Sequence, residues 1–78
     1  MVSVEIVKKL VTDSNEVFYE GSEIAFKYYD DFVICKIKKI YRKKGTISAT
    51  DVLINKKSVE PRIFYLKDMK DISYVYYD

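Results

Sequence analysis

The chain has 78 residues with 14 basic and 12 acidic side chains, which gives a net charge of +2. This length allows a single domain, residues 1–78, with a small hydrophobic core. One cysteine excludes an internal disulfide framework, and the absence of histidine removes the commonest general base and metal ligand.

The expected compartment follows from what the sequence lacks. Residues 1–10 do not have the basic and then apolar layout of a signal peptide. No segment approaches the roughly 20 apolar residues of a membrane helix. We therefore expect a soluble cytoplasmic protein without a membrane partner. The apolar residues are mainly valine, isoleucine, tyrosine and phenylalanine, which favour β-strands.

Residues 2–11 fit two patterns. Strand periodicity places Val2, Val4, Ile6 and Leu10 on one face. A helix capped by Ser3 would instead gather Val4, Ile6, Val7, Leu10 and Val11 on one side. The β-branched residues favour the strand, because their side chains are stiff in helices. The polar segment 12–16 is typical of a turn. With the extended segment 17–19 it predicts an N-terminal β-hairpin.

The centre of the chain predicts a long, bent β-hairpin. Residues 23–29 alternate cleanly, and a turn at Asp30 and Asp31 leads into a strand over residues 32–43. In that strand Tyr41 follows the phase of Val33, while Ile40 falls on the opposite face. A strand that changes phase in this way is expected to be bent or bulged. Gly45 marks the turn, within residues 43–46, to a returning strand that ends at residue 54.

The C-terminal third predicts shorter elements. Residues 55–61 are a polar loop that ends at the only proline, and residues 62–66 form a short apolar strand. Residues 67–71 are too few for a stable α-helix, so we expect one 3₁₀ turn. A final strand follows over residues 72–77.

This order of elements resembles the SH3-like or Sm-like small β-barrels. The opening strand Gly21-Ser22-Glu23-Ile24-Ala25-Phe26 is followed by a bent hairpin and a short strand, and a turn with Leu66, Asp68, Met69 and Ile72 introduces the last strand. The resemblance covers about residues 21–77. It implies an all-β, SH3-like barrel with an N-terminal β-hairpin extension and one 3₁₀ turn. Such barrels include RNA-binding and peptide-binding domains, so the fold alone does not choose a function.

The sequence offers little catalytic chemistry. Cys35 lies in the middle of a strand, where a small buried residue is expected. Gly21 and Gly45 are isolated, so no phosphate-binding loop is formed. The acids near Asp13 and at Asp30 are interpreted as turn residues rather than metal ligands. We therefore expect no enzyme activity, no cofactor, no metal and no small-molecule substrate.

The charge is unevenly distributed. Residues 32–67 hold ten basic and two acidic side chains, a net charge of +8, while residues 1–31 carry −4 and residues 68–78 carry −2. Lysines at strand edges and hairpin tips prevent edge-to-edge pairing, which is the first interpretation. The second is a nucleic-acid surface in which these cations combine with Tyr41 or Tyr29. Its candidate residues are Lys36, Lys38, Arg42, Lys43, Lys44, Lys56 and Lys57.

The tyrosines suggest a protein interface. The chain has eight, more than so small a core can bury, and exposed tyrosine is common at interfaces. The simpler alternative is cross-strand packing with the hydroxyl groups in water. The first functional hypothesis is accordingly a binding module that contacts another protein or itself, and nucleic-acid binding is the second. The candidate interface residues are Tyr29, Tyr41, Tyr74, Tyr76 and Tyr77.

Overall fold

The computed structural model describes residues 8–75, and this part of the chain is all-β apart from one turn of 3₁₀ helix. Residues 1–7 and 76–78 lie outside the described residues, and with them most of the segment 2–11 and the end of the last predicted strand. The eight strands are β1 (Lys9–Val11), β2 (Val17–Tyr19), β3 (Glu23–Tyr28), β4 (Asp31–Tyr41), β5 (Thr46–Ile54), β6 (Lys57–Val59), β7 (Arg62–Tyr65) and β8 (Met69–Tyr74). The 3₁₀ turn, Leu66–Asp68, connects β7 to β8.

The strands form two antiparallel sheets. β1 and β2 make a separate hairpin, which confirms the predicted N-terminal hairpin over the described residues. The larger sheet has the order β6-β5-β4-β3-β8, and β7 pairs with the first half of β5. This strand order is open, because it runs from β6 to β8 without returning to its start. The predicted all-β class is therefore confirmed, and the structure does not show a closed barrel.

β4 changes phase through two irregularities in its pairing with β5. The register shifts between Ile34 and Lys36 and again between Ile37 and Lys39. The second shift adds one residue, Lys38, so the inward positions continue from Ile37 to Ile40, and both are buried. The bulge that the sequence predicts is confirmed. The predicted faces at its end are wrong, because Ile40 is inside with Val33 and Tyr41 is outside.

The core lies on the inner side of the curved larger sheet, and the N-terminal hairpin adds Leu10 and Phe18 to it. It contains large side chains from nearly every strand, including Phe18, Ile24, Phe26, Ile47 and Phe64, each at most 2% exposed. Three aromatic rings, those of Phe26, Tyr28 and Phe64, meet edge to face at centroid distances between 5.0 and 6.2 Å. These contacts bring β7 close to β3, so aromatic packing curls the open sheet towards itself.

Side-chain contacts hold the N-terminal hairpin and the residue that follows it to the larger sheet. The ring of Phe18 lies 4.5 Å from that of Tyr74, whose hydroxyl donates to the carbonyl of Val17. On the other side, the Glu20 carboxylate accepts the backbone N–H of Ile40 at 2.9 Å. The hairpin therefore packs against the larger sheet and buries Leu10 and Phe18 in the core.

Several predicted boundaries move by one to three residues, and the largest shift is the start of the last strand, at Met69 rather than residue 72. The first turn of the central hairpin is Tyr29 and Asp30, and the second is residues 42–45, which leaves Thr46 in β5. The 3₁₀ turn begins at Leu66 rather than Lys67. The larger correction concerns residues 55–61, predicted to be a loop, because they contain β6 after a two-residue turn at Asn55 and Lys56.

That turn explains β6. Asn55 and Lys56 both have positive φ, 51° and 71°, as a type I′ hairpin turn requires. The Asn55 amide accepts the backbone N–H of Phe32 and donates to the Asp31 carboxylate. Asn55 therefore tolerates this conformation, and its side-chain hydrogen bonds tie the turn to β4. Lys56 adopts the same conformation and carries the steric cost that a Cβ atom has at positive φ.

We predict that Lys56→Gly stabilises the protein. Glycine adopts the positive φ of this position without the steric cost of a Cβ atom, so the free energy of unfolding should rise by about 0.5–1 kcal/mol. Urea unfolding followed by circular dichroism measures the change. Lys57→Gly is the matched control, because it places glycine in β6 and should lower stability. A loss of stability in Lys56→Gly would contradict the turn assignment.

Candidate functional site

The outer side of β4, β5 and β7 brings tyrosines and lysines together. Tyr41 pairs with Thr46, and Thr46 pairs with Tyr65, so these three side chains form one row across three strands. The neighbouring row, Ile40, Ile47 and Phe64, is buried, which shows that the tyrosine row points outwards. Thr46 is only 5% exposed between its two aromatic neighbours.

Two further rows continue this surface. Lys39 pairs with Ser48, which pairs with Ile63, and Lys36 pairs with Thr50 further along β4 and β5. Ile63 is 58% exposed and Tyr65 is 53% exposed, so both side chains project into solvent. We call this surface the basic-aromatic face, and define it by Lys36, Lys39, Tyr41, Lys44, Thr46, Ser48, Thr50, Ile63, Tyr65 and Lys67.

Two lysines lie over its aromatic rings. The Lys44 ammonium is 5.7 Å from the centroid of the Tyr41 ring, and the Lys67 ammonium is 6.0 Å from that of Tyr65. Both distances are near the outer limit of a cation–π contact. Lys44 belongs to the turn between β4 and β5, and Lys67 to the 3₁₀ turn, so the two cations approach from different segments.

A second group of tyrosines adjoins the face at β7. The backbone N–H of Tyr65 donates to the hydroxyl of Tyr28 at 3.3 Å, and the ring of Tyr28 packs edge to face on that of Tyr29. Tyr29 is 70% exposed and its hydroxyl donates to the Asp68 carboxylate at 2.9 Å. That hydrogen bond, more than any other cause, raises the pKa of Tyr29 above its ordinary value.

The predicted basic residues do not form one surface. Arg42, Lys43 and Lys44 lie in the turn beside Tyr41. Lys57 pairs with Ile54, which pairs with Val33, eight residues earlier in β4 than Tyr41. At about 3.3 Å per residue, Lys56 and Lys57 are thus roughly 25 Å along the strand from the first group.

Lys36 and Lys38 have a different environment. Both line a groove with Ile37, Gly21 and Thr50, and two acidic residues, Glu20 and Asp51, share it. The acids offset the positive potential there. This part of the predicted surface is consequently less favourable to an anion than the tip beyond Tyr41.

The predicted interface tyrosines are also separated. Tyr41 and Tyr29 lie at the two sides of β7, whereas Tyr74 packs on Phe18 at the N-terminal hairpin. Tyr76 and Tyr77 lie outside the described residues. The sequence interpretation missed Lys39, Ile63, Tyr65 and Lys67 as candidate site residues. Because side chains alternate along a strand, Ile63 and Tyr65 lie on one side of β7, but only the pairing of β7 with β5 joins them to Tyr41.

Cys35 is part of the core. Its side chain is 1% exposed, and burial raises the pKa of the thiol from 9.0 to about 12. The expected burial of this residue is confirmed. At pH 8 the thiol is almost entirely protonated, and the protonated form is a poor nucleophile.

Comparison with protein-family models, with curated proteins and with solved structures gives no match to this chain. Within residues 8–75, no helix is long and apolar enough to cross a membrane. The same residues contain no cluster of three or more cysteine, aspartate or glutamate side chains placed to hold a metal ion. The basic-aromatic face is therefore interpreted from its own geometry.

We predict that the Cys35 thiol of the folded protein reacts slowly with a thiol reagent at pH 8 and rapidly after unfolding in urea. The raised pKa also predicts a loss of stability between about pH 9 and 12. In that range the unfolded thiol ionises and the folded thiol does not, so rising pH favours the unfolded state. Cys35→Val should lose less stability over the same range. Rapid labelling of the native protein would contradict the burial of this residue.

Proposed function

We propose that the protein is a nucleic-acid-binding domain and that the basic-aromatic face is its binding surface. The observation that carries this proposal is the row Tyr41–Thr46–Tyr65, with Lys44 and Lys67 over its two rings. Lysines neutralise backbone phosphates, and aromatic rings stack on bases. The basic-aromatic face supports both interactions. Nucleic-acid binding therefore becomes the first hypothesis, ahead of the protein interface that the sequence favoured.

Charge supports the choice of a nucleic acid over an acidic protein. Across β4, β5 and β7 the rows of Tyr41 and Lys39 contain no acidic side chain, whereas Lys36 lies opposite Glu23 of β3 and shares its groove with Glu20 and Asp51. The adjoining turn adds Arg42, Lys43 and Lys44, all exposed. Positive charge concentrated beside tyrosine rings attracts a nucleic acid, because its phosphates are negative and its bases can stack on the rings. An acidic protein surface would use the charge and leave the rings without such a match.

The salt dependence of binding tests this proposal. The wild-type protein should bind DNA or RNA oligonucleotides at low salt, with log Kobs falling linearly against log salt concentration. Lys39→Gln, Lys44→Gln and Lys67→Gln should each reduce the steepness for a single strand by up to about 0.7. Fluorescence anisotropy with a labelled oligonucleotide measures the affinities.

Lys56→Gln and Lys57→Gln are the matched controls. Each removes one positive charge near the start of β4, far from the basic-aromatic face. These two variants should leave the salt dependence nearly unchanged. Absence of binding at low salt would contradict the proposed function. Equal effects of all five substitutions would show diffuse electrostatic attraction and would remove the basic-aromatic face as the site.

A second candidate function is contact with another protein or with a second copy of the chain. Ile63 and Tyr65 on β7 and Tyr29 in the turn before β4 are all more than half exposed, and neighbouring exposed apolar side chains are typical of interfaces. Among residues 8–75, no strand pairs with the edge of β7 that faces away from β5, although the backbone N–H of Tyr65 donates to the hydroxyl of Tyr28 there. The observation supports an interface centred on β7.

Self-association through β7 predicts a concentration-dependent sedimentation coefficient. Ile63→Lys should shift the equilibrium to the monomer, because it places a charge at the centre of the apolar group. Val11→Lys is the control, since Val11 is 57% exposed in the separate hairpin. A monomer at every concentration would eliminate self-association and leave only a foreign partner.

The proposal also includes the relationship of this fold to the SH3-like or Sm-like small β-barrels. An SH3-like or Sm-like relationship is supported by β3 pairing with both β4 and β8, and by the 3₁₀ turn before the last strand. The curl that brings Phe64 onto Phe26 is in keeping with it. A non-enzymatic, cytoplasmic role without a cofactor completes the proposal.

A further inference from the structure

We infer that the basic-aromatic face binds nucleic acid as a single strand, with one base stacked on Tyr41 and another on Tyr65. This inference rests on the proposed function and adds to it the form of the ligand and two base subsites. It also places the ammonium groups of Lys44 and Lys67 beside the phosphates of the bound strand, instead of over the tyrosine rings as in the free protein.

The spacing of the rings selects the single strand. Tyr41 and Tyr65 are two strand spacings apart, about 10 Å, on either side of Thr46. Bases in one strand of a duplex are about 3.4 Å apart and stack on one another, so their flat faces are covered. Two rings at this separation can only receive bases that have left their own stack. A duplex offers none, and an extended single strand does.

The floor between the rings is already formed. Thr46 is 5% exposed and Tyr41 is half-buried, while the neighbouring row, Ile40, Ile47 and Phe64, is buried in the core on the opposite face of the sheet. The side chains on the two outer strands are therefore supported by a packed core. Tyrosine has only two side-chain torsions to fix, which keeps the entropic cost of binding a base small.

The lysines over the rings occupy the places that the bases would take. Their ammonium groups are 5.7 and 6.0 Å from the ring centroids, and such contacts at exposed sites are weaker than the stacking of a base. A base therefore displaces the ammonium group from its ring. Lys44 and Lys67 are on flexible stems and remain beside the bound nucleotide, where a phosphate is the favourable partner.

Asp68 limits the site on the β7 side. Tyr29 is the next exposed ring, but its hydroxyl donates to the Asp68 carboxylate, so a negative charge lies beside it. A phosphate at that position would be repelled. The face thus has two base subsites, and the strand crosses β4, β5 and β7 between them.

The test compares a single-stranded oligonucleotide with the duplex of the same sequence, against the wild-type protein and tyrosine variants. Wild-type protein should bind the single strand at least tenfold more tightly. Tyr41→Leu and Tyr65→Leu should each weaken that binding roughly 5- to 150-fold, the range measured for loss of one stacked base. Tyr41→Phe and Tyr65→Phe keep the ring and should retain the affinity.

Two further measurements separate stacking from other effects. The leucine variants carry the wild-type charge, so their salt dependence should stay the same while their affinity falls. Tyr19→Leu, in β2 and 45% exposed, is the control for loss of an exposed tyrosine away from the face. Binding of the single strand should also quench the tyrosine fluorescence of the unmodified protein, a readout that needs no variant.

The outcomes distinguish the two proposals. If neither form of nucleic acid binds at low salt, the proposed function and this inference both fail. If single strand and duplex bind equally, with leucine variants like wild type and fluorescence unchanged, nucleic-acid binding stands and the two base subsites are overturned. Preferential single-strand binding that is lost in the leucine variants and kept in the phenylalanine variants supports both.

Discussion

One additional residue in β4 determines which side chains this protein presents to solvent. With uninterrupted alternation after Ile37, the side chain of Tyr41 would turn inwards and that of Ile40 outwards. The register shift between Ile37 and Lys39 reverses this, so that Ile40 completes the core with Ile47 and Phe64. The tyrosine at the end of the strand is thereby placed beside the basic turn.

β5 extends the consequence of that bulge to the rest of the sheet. Its first half pairs with β7 and its second half with β6, on the edge away from β4. The division falls near Asp51, which has a positive φ of 52° and lies where the register of β4 and β5 changes. Two short strands thus pair with the same edge of β5. β7 adds Tyr65 and Ile63 to the basic-aromatic face, while β6 places Lys57 at the opposite end of β5.

The sequence predicts the parts of this arrangement that depend on local pattern. Alternation locates β3, the phase change locates the bulge in β4, and Gly45 marks the turn between β4 and β5. β6 is missed because its turn uses Asn55 and Lys56 without the glycine that usually signals a type I′ hairpin. The turn before β4 begins one residue early because Tyr29, an aromatic residue, adopts a positive φ of 58°.

The candidate site depends on long-range pairing, which is why the sequence identified only half of it. Tyr41 and Lys44 are three positions apart in the chain, and the sequence shows them together as a basic segment that follows an aromatic residue. Tyr65 and Lys67 are more than 20 positions away, and no local pattern reports that β7 pairs with β5 at Thr46. The same pairing separates Lys56 and Lys57 from the cations with which the sequence grouped them.

Cross-strand NOEs measured by NMR test the central claim most directly, because they report the register of β4, β5 and β7 residue by residue. The structure predicts contacts from Thr46 to Tyr41 and from Thr46 to Tyr65, with Ile47 in contact with both Ile40 and Phe64. Contacts that instead pair Thr46 with Ile40 would indicate a register slipped by one residue. Tyr41 would then face the core, and the basic-aromatic face would not exist.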